Sequence, residues 1–177
     1  MSSPNSNLHK SQIYTRTGDE GETSLAGGVR VAKDNARIDV IGEIDELSAV
    51  LGVARSMDGG QKFCQKILRI QNELIRFMSE LAVPNNDCRN ILQSDVERLE
   101  SDIDEADAVL PSLKEFIVAG ASSQSAYLHL ARTVCRRAER RLVLLNRVEF
   151  GVSPLLITYL NRLSDLLFVL SRVCDLN

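Results

Sequence analysis

Leu156, Leu160, Leu163, Leu167 and Leu170 recur at steps of three and four residues, the interval at which side chains stack on one face of an α-helix. A stripe of that kind has to be buried against other elements, and the same interval is written four more times upstream. From about Arg37 to Arg55 it is carried by Ile38, Ile41, Ile44, Leu47, Val50, Leu51 and Ala54. Before Pro84 it is carried by Ile67, Ile70, Leu74, Phe77, Met78 and Leu81, and from about Leu92 to Asp107 by Val96, Leu99, Ile103 and Ala106. A fourth helix starts at Ser122 or Ser123, both good N-caps, and reaches about Asn146; the leucine ladder runs from Pro154 to Val173. Breaks are written by Asp58-Gly59-Gly60, by the polar stretch Asn85 to Asn90 and by Gly151 to Pro154. Five helical patterns joined by mostly short connections, with no alternating strands, predict an all-α, up-and-down five-helix bundle. Residues 1–12, rich in Ser and Asn, read as a tail. Residues 13–177 read as one domain, divided into a Gly-rich N-terminal extension over 13–36 and the bundle over 37–177.

A chain of 177 residues can bury a sizeable core, and its net charge of −3 removes the general basic excess of a nonspecific nucleic-acid binder. No apolar run approaches a membrane span and no secretory signal is visible, so a cytoplasmic, soluble protein is expected. Cys64, Cys88, Cys135 and Cys174 are too widely spaced for a zinc knuckle, and read as buried thiols in a reducing compartment. With only His9 and His129, neither in a Glu-x-x-His arrangement, a di-iron centre is not supported despite the bundle.

Within this mildly acidic chain the arginines are concentrated at ARTVCRRAERR, residues 131–141. Arg132, Arg136, Glu139 and Arg140 share one helical face, whereas Val134, Cys135, Ala138 and Leu142 turn toward a core. Guanidinium groups grip phosphate oxygens two at a time, so the face suits a small polyanion; a solvated face with local ion pairs is the plainer reading. At the other end, residues 13–28 mix Gly18, Gly21, Gly27 and Gly28 with Thr15, Thr17, Asp19, Thr23 and Ser24. Such a loop is either a turn or an anion cradle, and its spacing is not that of a Walker A motif. Lys33 and Arg37 add positive charge at the same end of the chain.

Four further features bear on a site. Asp45 and Glu46 point in different directions on the first helix, with Asp45 nearer the apolar stripe and so the better placed to meet a partner. The third helix carries Asp95, Glu97, Glu100, Asp102, Asp104 and Glu105, which read as a solvated acidic face. The loop Pro111 to Gly120 has an apolar centre at Phe116, Ile117 and Val118; its aromatic is either packed back or offered to a ligand, packing being the commoner outcome. On the fifth helix Asn161, Ser164, Asp165 and Phe168 form a stripe beside the leucines, suited to an interface or a pocket. No pairing of base and nucleophile is evident, so any chemistry here rests on positioning and charge neutralisation.

Taken together, TRTGDEGETSL, GGVRVAKDNARI, GEIDELSAVLG, RTVCRRAER and YLNRLSDLLF strongly resemble the ATP:cob(I)alamin adenosyltransferases of the PduO type, in the same order from Ile13 to the C-terminus. The resemblance implies a ferritin-like bundle of that family, assembled as a homotrimer with active sites between adjacent subunits. It implies that the cobalt of cob(I)alamin attacks the 5′ carbon of ATP, giving adenosylcobalamin and triphosphate, with magnesium carried on the ATP. It assigns Thr15, Arg16, Thr17, Gly18, Asp19, Gly21 and Thr23 to the ATP phosphates, and Lys33 to a place near the triphosphate. Arg136 resembles the arginine that neutralises the triphosphate, with Arg137, Glu139 and Arg140 in or behind the same site, and Asn161 matches a nucleotide contact. Asp45 and Arg132 match a salt bridge across the subunit interface, and Phe116 resembles the aromatic that shields the lower face of cobalt. The family's Pro-Gly-Gly turn after that aromatic is replaced here by Val118-Ala119-Gly120. A corrinoid reductase or an adenosylcobalamin-dependent enzyme is implied as a further partner. The same features would also serve an ATP-binding regulatory or storage bundle without transferase chemistry, or a structural bundle whose arginines meet an acidic partner.

Overall fold

The structure is a computed structural model, and it describes residues 13–57, 63–83, 89–149 and 151–176. The tail 1–12, the Asp58-Gly59-Gly60 break, Cys88 and most of the Asn85–Asn90 connection lie outside the described residues. Five helices form: α1 Ala36–Ser56, α2 Cys64–Ala82, α3 Gln93–Asp107, α4 Ser123–Val148 and α5 Pro154–Cys174. Side-chain caps hold three of the starts. Asn35 accepts the Arg37 N–H at 2.8 Å, Ser122 accepts that of Ser125 at 3.2 Å, and Ser153 accepts that of Leu155 at 3.3 Å, with Pro154 in the first turn where its missing N–H costs nothing.

The helices pack in the spatial order α2, α1, α4, α5, α3. The leucine ladder of α5 is buried throughout, together with Ile44, Leu47 and Leu51 of α1, Leu74 and Phe77 of α2, and Val134, Cys135, Ala138 and Leu142 of α4. Each Leu, Ile, Val or Phe side chain among them contributes about 1.5–3 kcal/mol by leaving water, so the shared stripe, rather than helix propensity, holds the bundle together.

The Gly-rich extension folds as a small antiparallel hairpin, which the helical reading did not anticipate: β1 Glu22–Ser24 pairs with β2 Arg30–Ala32 in the register Thr23↔Val31. A single 3-10 turn at Ala26–Gly28 closes it, with Gly27 and Gly28 at φ of +76° and +81°.

Two charged features differ from expectation. Asp95 and Asp102 of α3 are buried, not solvated. Asp95 accepts from Arg76 at 2.8 and 3.1 Å, from Arg98, and from the Leu92 N–H at 2.8 Å, where it caps its own helix; Asp102 accepts from Lys66 and Arg69, each at 2.6 Å. An ion-pair layer therefore joins α3 to α2, and beneath it the buried Glu73 accepts from the Tyr159 hydroxyl at 2.8 Å. A helical wheel cannot show this, because the partners lie on another helix. Arg37 is likewise an internal clamp: it is buried, donates to the Leu81 carbonyl at 2.8 Å and is held by Glu149, tying α1 to the ends of α2 and α4. Of the cysteines, Cys135 is fully buried, whereas Cys64 and Cys174 are only half-buried; none of the three forms a disulfide among the described residues.

Candidate active site

The arginines of α4 separate by one residue of register. Arg137 and Arg141, four apart, turn toward α1: Arg137 is held by Glu43 at 2.6 Å and by Glu46, and Arg141 by Asp39 at 3.3 Å. Hydrogen bonds from Arg137 to Glu46 and then Glu43 raise its already high pKa further. The stripe Arg132, Arg136 and Arg140 faces elsewhere. Arg136 and Arg140 are exposed and make no ion pair among the described residues. At 1.5 Å per residue this stripe runs on the order of 12 Å along the helix axis. Beside it, the Asn161 amide of α5 donates to Glu139 at 3.2 Å and accepts from Arg162 at 2.8 Å, so two of the sequence-predicted residues meet across the α4–α5 seam. Asp45 is exposed on α1 and has no partner among the described residues; its neighbour Glu46 is the acid that finds one.

At the Arg132 end of the stripe lies a pocket of about 610 Å³ between the 111–120 loop and α4 and α5. Phe116, Ile117, His129, Arg132 and Phe168 line it. Phe116 is not packed back onto the domain: the residue is fully exposed at the pocket mouth. Val118 beside it is also exposed, so this loop presents apolar surface that the core does not use. The wall behind is ordered by His129, which touches the Phe168 ring edge-on at 6.2 Å between centroids and bonds Ser171 at 3.1 Å. Sequence reasoning gave His129 no role at the site; its spacing of three before Arg132 was the available signal.

The hairpin forms a second recess, about 710 Å³, lined by Arg16, Thr17, Asp19, Glu20, Ser24 and Arg30. Thr15 and Thr17 join their hydroxyls at 2.8 Å, and Arg16, at a positive φ of 61°, lies over the Tyr14 ring at 5.5 Å. Lys33 donates its backbone N–H to Gly21 at 2.8 Å, and its side chain crosses Gly18: a Cβ there would come within 3.1 Å of the Glu22 carbonyl and 3.4 Å of Lys33 Nζ. Gly21, at a φ of +86°, takes a left-handed conformation that L side chains rarely adopt. Thr23 lies in β1. Arg30 braces the recess by donating to the Thr17 carbonyl at 2.8 Å, Ser24 Oγ at 3.1 Å and Glu22 at 3.2 Å. It was missed because only the hairpin register places it opposite Ser24.

The cobalamin adenosyltransferase family model matches residues 13–174 of the chain. The chain belongs to this family. The corrinoid adenosyltransferase of Mycobacterium tuberculosis strain H37Rv is 43% identical over 175 residues, covering 95% of this chain and 91% of that one. That of Bacillus subtilis is 41% identical over 169 residues, covering 93% and 86%. Among solved structures, a variant of the PduO-type ATP:corrinoid adenosyltransferase of Lactobacillus reuteri, complexed with cobalamin and ATP, superposes with a TM-score of 0.87 at 32% identity, covering 93% of each chain. In this chain the arginines that have no ion pair among the described residues and the apolar pocket lie along one stripe of α4.

Proposed function

We propose that this chain transfers the 5′-deoxyadenosyl group of ATP to cob(I)alamin, forming adenosylcobalamin and releasing triphosphate. The observation that carries the reading is the α4 stripe: an apolar pocket with an exposed aromatic at one end, and two arginines without carboxylate partners among the described residues at the other. A module that only bound ATP would have no use for the exposed Phe116. The cobalt electron pair forms the Co–C5′ bond, the C5′–O bond breaks, and the triphosphate leaves with its electrons. Charge then grows on the leaving oxygens, and Arg136 and Arg140 stabilise it more in the transition state than in the ground state. Asn161, oriented by Glu139, contacts the nucleotide, and Phe116 shields the lower face of cobalt. Thr15, Arg16, Thr17, Gly18, Asp19, Gly21, Thr23 and Lys33 form the strap over the phosphates.

Arg16, Thr17 and Asp19 of the strap line one recess and Arg132 of the stripe lines another pocket, which supports a site completed by a neighbour in a homotrimer. Asp45 of one subunit then pairs with Arg132 of the next. Exposed Leu130 and Leu144 on α4 suit such an interface. Magnesium is read as travelling with the triphosphate. Asp19 and Glu20 of the recess offer it the oxygen donors it takes. No described helix is long and apolar enough to cross a membrane, and we read the enzyme as cytoplasmic, served by a corrinoid reductase or serving an adenosylcobalamin-dependent enzyme. Mixing the protein with ATP and chemically reduced cobalamin and following corrinoid absorbance tests the assignment. Conversion to the adenosylated spectrum with stoichiometric triphosphate supports it; saturable ATP binding without conversion leaves only a nucleotide-binding module.

A further inference from the structure

His129 precedes Arg132 by three residues on α4, and both side chains wall the loop pocket. The Ser171 hydroxyl oxygen lies 2.7 Å from the Phe168 carbonyl oxygen and 3.1 Å from His129 Nε2. A carbonyl only accepts, so two oxygens that close require the single hydroxyl proton between them. Ser171 then has only lone pairs to offer His129, and Nε2 must carry the ring proton. Nδ1 is left as a bare acceptor, and it is buried without a partner among the described residues. Arg132 Nε is a buried donor in the same condition. A buried acceptor and a buried donor, each orphaned on neighbouring turns of one face, complement each other.

We propose that His129 is the positioning residue for Arg132: its Nδ1 lone pair takes the Arg132 Nε–H in the loaded pocket and orients the guanidinium. The role given to Arg132 rests on the adenosyltransferase reading; the coupling between the two side chains does not. Burial first, and then the Arg132 charge, hold the imidazole below its ordinary pKa of 6.5, with Asp175 opposing. Lys114 and Glu115 of the loop are the other charged groups lining the pocket. The ring is therefore neutral near neutral pH, the state in which Nδ1 accepts. As pH falls through the lowered pKa, Nδ1 gains a proton and the coupling to Arg132 is lost.

Nitrogen-15 spectra of the imidazoles, in a chain with only two histidines, test this without substrate. The expected result is an Nε2–H tautomer for His129 at neutral pH, titrating below 6.5 and moving upward in Arg132→Gln. The kinetic arm compares His129→Phe, which keeps the ring volume and removes the acceptor, with His129→Asn, whose side-chain oxygen can replace it. His129→Phe is expected to lower kcat/KM for cob(I)alamin on the order of tenfold with the KM for ATP unchanged, and His129→Asn to recover most of that loss. An Nδ1–H tautomer, a titration indifferent to Arg132→Gln, or a fully active His129→Phe would overturn the proposal. A wild-type protein inactive toward corrinoid would count against the function proposed above, while the ring titration would still decide the coupling.

Discussion

At Arg136 the fourth helix turns a guanidinium to solvent with no carboxylate to answer it among the described residues, while at Arg137, one residue on, the same side chain is gripped by Glu43 and Glu46. A helix advances 100° per residue, so this one step separates a cation available to a ligand from one spent on structure. Arg136→Ala is therefore expected to reduce turnover roughly a hundredfold, about 3 kcal/mol of transition-state stabilisation, with the circular dichroism spectrum and melting curve preserved. Arg137→Ala is expected to shift the denaturation midpoint instead, and only by about 1 kcal/mol or less, because the pair is partly exposed. If Arg136→Ala stays within about twofold of wild-type turnover, the charge-neutralising role is wrong. The run CRRAER shows that a charged cluster exists; which member is free depends on Glu43 and Glu46, some ninety residues away in the chain.

Among the elements, α3 gains most from the ion-pair layer. Its own apolar stripe is short, with Val96 and Leu99 fully buried and Ile103 and Ala106 only partly so. Burial by itself would push the Asp95 carboxyl up, but hydrogen bonds from Arg76 and the Leu92 N–H, with the charges of Arg76 and Arg98, hold it net below its ordinary 3.8. A carboxyl depressed in the folded state stabilises above its unfolded pKa and loses that contribution as pH falls through the folded value. Asp95→Asn is expected to cost about 2–3 kcal/mol near neutral pH, below the ~3–5 of a fully buried broken pair because both guanidiniums remain partly in water. Urea denaturation of wild type and variant should show that gap holding down to about the ordinary aspartate value of 3.8 and closing below it. A gap independent of pH would mean that packing, not charge, is what Asp95 supplies.

On the scale of the whole molecule, the chain presents an acid at Asp45 that has no partner among the described residues, a half-buried Arg132 and apolar surface on α4, and the Gly-rich hairpin and Arg132 line separate pockets. If these are completed by a neighbour, Asp45→Asn and Arg132→Ala should each weaken assembly or slow corrinoid turnover, read by sedimentation velocity and by the absorbance assay. Unchanged behaviour in both would remove the intersubunit salt bridge. The helices themselves, the cap at Ser122 and the leucine core of α5 were legible in the residues, because a helix's periodicity and its first hydrogen bonds are local properties of the chain. The same holds for the arginine stripe and for the glycines that turn the strap. What tertiary structure alone decided is which charges are spoken for: Asp95 and Asp102 buried rather than solvated, Arg37 a buried clamp, Phe116 out in the pocket mouth, His129 in the wall of that pocket and Arg30 in the hairpin recess. Those outcomes depend on side chains meeting across helices or strands, and the energy of an ion pair or an orphaned donor is set by neighbours that no single stretch of sequence contains.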